Sequence, residues 1–163
     1  MDDASIERVL SARDIHCWLK PHGDSKSPPD MREQFTEQMY RIGFAKAPTG
    51  VEVGDVLIVY RVGISALQYV AECQAPWREA MDEEVRREPW RSRWRWLVEA
   101  RNLTPEFGRR WARHLLKPFP LAREYNDLHP HDFQRLGALN YSSDKLRILH
   151  GFASFILKQI KLA

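Results

Sequence analysis

A chain of 163 residues, 44% hydrophobic and 29% charged, is long enough to bury a core without disulfides or metal staples and too apolar for a disordered tail. No apolar run reaches the roughly 20 residues a membrane helix needs, and the opening MDDASIERVL is acidic and mixed, unlike a signal or transit peptide. The net charge of +3 conceals a segregation: Arg86 to Arg123 holds ten Arg and one Lys against three Glu, a local +8 that leaves −5 for the rest of the chain.

Residues 1–13 read as a short helical lead-in, with Ile6, Val9 and Leu10 on one face. Asp14 to Lys20 alternates and reads as a strand: Ile15, Cys17 and Leu19 face one way, His16, Trp18 and Lys20 the other. PHGDSKSPP is a loop by composition. The pattern predicts a helix over 30–42, capped by Asp30 with Glu33 three residues on, striped by Met31, Phe35, Met39 and Ile42, and ended by Gly43. FAKAPTGVEVGD is a loop. DVLIVYRV (55–62) is a buried strand, Gly63 a turn or bulge, and SALQYVAEC (65–73) its hairpin partner.

Residues 76–92, polar and rich in Arg and Glu, read as a long loop with a helical turn. RWRWLVEAR (93–101) is a strand. Thr104-Pro105 opens a helix to about Leu116, which Pro118 and Pro120 stop. Pro130 opens a short helix, Leu146–Leu149 forms a brief strand, and Phe152 to Ile160 is a closing amphipathic helix. The order predicts an α+β domain over 14–163 with a small, mainly antiparallel sheet curled into a β-barrel flanked by helices.

Composition favours an anion-binding face, with an Arg-rich solvated surface as the plain alternative. Trp77, Trp90, Trp94, Trp96 and Trp111 fall in the basic stretch or just before it, and Arg beside Trp suits both phosphate contact and base stacking. Phosphate loops, nucleotide-binding glycine motifs, zinc-protease motifs and nucleophile elbows are all missing. His129-Pro130-His131-Asp132 is an incomplete metal signature, so neither a metal nor a cofactor is expected. Two isolated cysteines, Cys17 and Cys73, build no disulfide framework and suit a reducing cytoplasm.

Four segments together resemble the EVE domain, a PUA-like relative of the YTH and ASCH domains. They are His16-Cys17-Trp18-Leu19, Val53 to Tyr60 with its Gly54-Asp55 turn, Arg93 to Val98, and LGALNYSSDKLRI from Leu136 to Ile148. In order and spacing they span most of the chain. The resemblance implies a module that binds nucleic acid, DNA or RNA, and reads a nucleobase, modified or not, in an aromatic pocket. It implies pocket walls from Trp18, Tyr60 and Trp77, with Trp94 and Trp96 behind them. Polar contacts are implied from Asn140, Tyr141 and Ser142, and phosphate contacts from Lys20, Arg61, Arg93 and Arg95. Arg91, Arg109, Arg110 and Arg113 would be surface charge that widens the track. Where thymocyte-type EVE domains carry a Trp- and Asn-bearing loop, this chain reads MYRIGFAKAPTG, so Arg41, Phe44 and Lys46 stand in its place. A nuclease or defence-system partner is implied by bacterial relatives. Two alternatives stand beside this reading: an ASCH-like enzyme acting on a nucleoside or small amide, and a protein-interaction domain with Trp and Arg at its interface.

Overall fold

A computed structural model describes residues 3–12, 14–23, 26–125 and 145–163. Its strands are β1 (Cys17–His22), β2 (Met39–Phe44), β3 (Val56–Arg61), β4 (Ala66–Cys73), β5 (Arg78–Glu79), β6 (Trp96–Asn102) and β7 (Leu146–Ile148). Its helices are α1 (Asp3–Ser11), α2 (Asp82–Arg87), α3 (Pro105–His114), α4 (Pro118–Glu124) and α5 (His150–Leu162), with a 3₁₀ turn at Pro89–Ser92. The fold is mixed α+β, as the element order predicts. Among the described residues no helix is long and apolar enough to cross a membrane.

The strands form one sheet in the order β2-β6-β4-β3-β1-β7, with β5 beside β6. All pairs are antiparallel except β1 with β3. The chain leaves β1, crosses to the far edge to make β2, and returns as β3. Edges remain at β2 and β7, so the sheet is open and the expected barrel is not closed among the described residues.

The β3–β4 hairpin turns through Gly63 at φ 93° and Ser65 at φ 51°. Its register skips Gln68, a bulge that follows Val59↔Tyr69 with Tyr60↔Leu67. Both strands are buried along almost their whole length, which explains a run of apolar residues rather than an alternation. Ile6 and Val9 of α1 and Phe152, Ile156 and Ile160 of α5 join the same core.

The predicted helix over 30–42 does not form. Asp30 accepts a hydrogen bond from the Arg32 backbone N–H at 2.9 Å, a local turn instead of a helix cap. The following backbone is claimed by distant partners. Phe35 N–H donates to the Gly108 carbonyl at 2.9 Å, and Asn102 Nδ2 donates to the carbonyls of Phe35 and Glu37 at 2.9 and 3.1 Å. From Met39 the chain enters the β6 ladder. Long-range hydrogen bonds thus override a helical apolar pattern.

Pro118 stops one helix and opens the next. Leu115 at φ 45° ends α3 in the left-handed conformation, and Pro118 is the first residue of α4. The long loop at 76–92 is more ordered than composition suggests, holding β5, α2 and the 3₁₀ turn. The helix opened by Pro130, the His129–Asp132 cluster and most of the Leu136–Ile148 motif lie outside the described residues.

Candidate functional site

A cavity of about 860 Å³ opens where the end of β1, the β2 edge and the segment 88–94 meet. That is within the range of small-ligand sites, about 300–1,000 Å³. Its aromatic lining comes from two sources. On one side Tyr40 stacks on Tyr69 at 4.5 Å between ring centroids, and Phe35 stacks on Tyr69 at 5.3 Å. On the other, Trp90 and Trp94 lie 6.3 Å apart at 57°. Trp90 is 48% exposed, a large apolar surface left open.

Local sequence holds these rings in place. Gly43 on β2 lets the Trp segment come close: a Cβ there would lie 2.9 Å from Trp94 Cβ and 3.6 Å from the Trp90 ring. Trp111, buried in α3, donates its indole N–H to the Glu33 carbonyl at 2.7 Å and pins the irregular segment that carries Phe35. Glu84 anchors α2, which precedes the Trp pair. Its carboxylate accepts from both Arg78 terminal nitrogens at 2.7 and 3.1 Å and from the Met81 backbone N–H at 3.0 Å. Those donors, Arg78 first, hold its pKa down to about 2.

The charged lining is mixed. Lys20 is a buried cation whose ammonium donates to the Pro21 carbonyl at 2.7 Å and sits 4.5 Å from the Phe44 ring centre. Burial lowers the pKa of His22 and favours its neutral form, a trend that its 2.9 Å hydrogen bond to Gln68 opposes. Glu33 is shifted the other way, its pKa raised by burial and by Asp30. Glu99 lies 3.5 Å from Arg78 and 4.0 Å from Arg41. Among the described residues no cluster of His, Cys, Asp or Glu could hold a metal ion.

No family model matches the chain, and no curated protein does. Two solved structures are similar to it. A hypothetical protein from Leishmania major aligns over 93% of this chain and 98% of its own, with a TM-score of 0.53 and 13% identity. The YTH domain of the Zygosaccharomyces rouxii MRB1 protein, in complex with N6-methyladenosine RNA, aligns over 91% of this chain and 88% of its own, with a TM-score of 0.50 and 17% identity. The fold is similar to that of a YTH domain. At these identities the likeness is one of fold alone.

Within this YTH-like fold the residues singled out from sequence separate. Lys20 and Trp94 line the cavity together, and the guanidinium of exposed Arg93 lies 4.7 Å from the Trp94 ring centre. Trp18 and Tyr60 do not line it; both are core residues, 8% and 2% exposed. Trp18 donates its indole N–H to Asp55 at 3.0 Å, and Asp55 also accepts the backbone N–H of His16 and Glu52. The Gly54-Asp55 turn and the opening Trp therefore form one structural unit. Trp77 and Trp96 pack edge to face at 5.6 Å, away from the cavity lining. Arg61 is buried and donates to the carbonyls of Ser27 and His22 at 2.7 and 3.4 Å. Arg95 pairs with Glu79 at 3.4 Å and Asp82 at 3.9 Å. Arg91, expected on the surface, is buried. Asn140, Tyr141 and Ser142 lie outside the described residues.

The sequence reading missed Phe35, Tyr40, Tyr69, Trp90 and Arg91 as lining residues. One signal was available: in MYRIGF, Tyr40, Ile42 and Phe44 alternate with Met39, Arg41 and Gly43, the period of a strand.

Proposed function

We propose that this chain is an EVE-type nucleic-acid-binding module that takes a single nucleobase, modified or not, into the cavity lined by Tyr40, Tyr69, Trp90 and Trp94. The observation that carries this reading is the cavity itself: aromatic rings from β2, β4 and the 90–94 segment, with buried Lys20 and Arg91 in the same wall. Aromatic platforms contribute about 1–3 kcal/mol per stacked base and tolerate any base, because every base has a π-face. A cavity of about 860 Å³ has room for one flipped or single-stranded base. The likeness to a YTH domain solved with N6-methyladenosine RNA supports the same reading.

Phosphate contacts fall to Arg93 at the Trp94 rim and to exposed Arg110 and Arg113 on α3. Much of the basic run is already engaged: Arg87 with Glu83, Arg101 with Glu72 and Arg109 with Glu106. The salt dependence of binding is therefore shallower than a local +8 suggests. A nuclease or defence-system partner and a cytoplasmic setting rest on the EVE resemblance and on the two free, buried cysteines.

The alternative of an ASCH-like enzyme acting on a nucleoside or small amide is favoured by one observation, a buried amine, Lys20, in the cavity wall. Its place over the Phe44 ring and against the Pro21 carbonyl favours the charged ammonium, the form that is not a base.

Fluorescence anisotropy with single- and double-stranded oligonucleotides, unmodified and base-methylated, at two salt concentrations tests the reading. Base-selective binding that survives the higher salt is expected. Binding that vanishes with salt and ignores the base would reduce the protein to a basic surface. Product release from a nucleoside or a small amide, lost in Lys20→Met, would make it an enzyme.

A further inference from the structure

Arg91 sits in a basic run and reads as surface charge, yet its side chain is only 7% exposed and it lines the cavity. Its Nε donates to Glu88 at 2.6 Å, and its guanidinium carbon lies 4.3 Å from the Trp90 ring centre. Nη1 is closed off from solvent and meets no acceptor among the described residues. A guanidinium carries five donors in one plane. Here Glu88 and Trp90 hold that plane while a donor at its end is left over. Buried donors in folded proteins are nearly always satisfied, so an unsatisfied one at a cavity wall marks a partner that arrives with the ligand.

The neighbouring charges are of both signs. Lys20 adds a second buried cation to the wall. Of the carboxylates there, Glu88 is held by Arg91 and Glu99 is within reach of Arg78 and Arg41. Glu33 is drawn toward its neutral form by burial, and Glu37 is exposed. The wall thus sets three cations, Lys20, Arg41 and Arg91, against four carboxylates, and the group at Arg91 that calls for an acceptor is its own Nη1, unpaired among the described residues.

Resting on the nucleobase reading above, we propose that Arg91 reads the base by a carbonyl acceptor, so that the cavity takes a keto base (guanine, uracil or thymine) in preference to adenine. Nη1 is sealed from the solvent of the cavity as it stands, so the guanidinium must turn about its Glu88 contact for the base to meet it. Guanine offers O6 and N7 to such a fork, and uracil and thymine offer O4. Adenine places an amine there, so two donors would face each other. This preference is opposite to the N6-methyladenosine held by the Zygosaccharomyces rouxii YTH domain.

The test uses the full chain and short fluorescein-labelled single-stranded oligonucleotides that are oligocytidine except for one central G, U, A or N6-methyl-A. Anisotropy titrations at one salt concentration should rank G or U above A and N6-methyl-A by about tenfold or more. Arg91→Lys keeps the charge and loses the fork. It should collapse the ranking to within about twofold, the G- and U-centred strands losing more affinity than the A-centred strand. Tighter or equal binding of the A-centred strand by the unaltered protein overturns the assignment of Arg91 and leaves the nucleobase reading standing. So does a ranking that survives Arg91→Lys. Failure of all four strands to bind overturns both. The ranking by the unaltered protein needs no variant, so the outcome does not depend on whether Arg91→Lys folds.

Discussion

Tyr40 on the edge strand β2 stacks on Tyr69 of β4 with ring centroids 4.5 Å apart and an interplanar angle of 26°, although β6 lies between their strands. The pair joins the open cavity to the closed core. Tyr69 is 5% exposed, and burial raises its pKa strongly; Tyr40 is half-buried. Tyr40→Ala should therefore weaken oligonucleotide binding by about 1–3 kcal/mol with little change in melting temperature. Tyr69→Ala should instead lower stability by about 3–5 kcal/mol, read by urea unfolding. Equal effects of both variants on stability would mean that Tyr40 is a core residue.

The tryptophans divide in the same way. Trp90→Ala and Trp94→Ala should each lower affinity for oligonucleotides and leave a cooperative unfolding transition in place. Trp18→Ala removes a buried ring and leaves Asp55 short of one donor. It should cost about 3–5 kcal/mol of stability, while the fraction that remains folded binds as before. Titration of all three variants beside their denaturation curves separates the two classes.

Gly108 lies in α3 where the helix meets the segment that carries Phe35. A Cβ there would fall 2.0 Å from the Phe35 carbonyl oxygen, the atom that accepts Asn102. Backbone cannot give way as a side-chain tip can. Gly108→Ala should destabilise by about 1–3 kcal/mol, in spite of alanine's better helix propensity. An unchanged or raised melting temperature would show that α3 and the 33–37 segment are not locked together.

Glu84 gives a pH signature. Its folded pKa, about 2, lies below the ordinary glutamate value of 4.5. The stability it contributes is complete above about pH 4.5 and is lost as pH falls through 2. Melting temperatures between pH 5 and pH 2 should fall less steeply in Glu84→Gln than in the parent chain. The same variant should loosen α2 and the Trp pair that follows it, visible as faster quenching of Trp fluorescence by acrylamide.

Most strands and the closing helix were legible because each is dictated locally. The 55–62 run is β-branched and aromatic, the hairpin turns at Gly63, and Thr104-Pro105 marks a helix start. The site was less legible. Lys20 and Trp94 came forward through resemblance and through the basic-aromatic pattern, and the structure brings both to the cavity. Trp18 and Tyr60 came forward on the same grounds and are core, because a Trp in a strand is read alike whether it faces a pocket or an aspartate. Tyr40 was hidden by a helical stripe over 30–42 that the backbone does not follow.

By itself the sequence determined the mixed α+β class, the Gly54-Asp55 launch of the central strand, and the concentration of Arg and Trp in one stretch. These depend on period, turn chemistry and composition, which are properties of neighbours along the chain. Only the tertiary structure decided that β2 replaces a helix, that the sheet stays open among the described residues, and that Phe35, Tyr40, Tyr69, Trp90 and Arg91 share one cavity. Each of those outcomes depends on partners more than twenty residues away: Gly108 and Asn102 for the 35–37 backbone, β6 for β2, and Tyr69 for Tyr40. A hydrogen bond or ring contact across such a separation leaves no periodic trace in the sequence, yet it outweighs the local preferences that do.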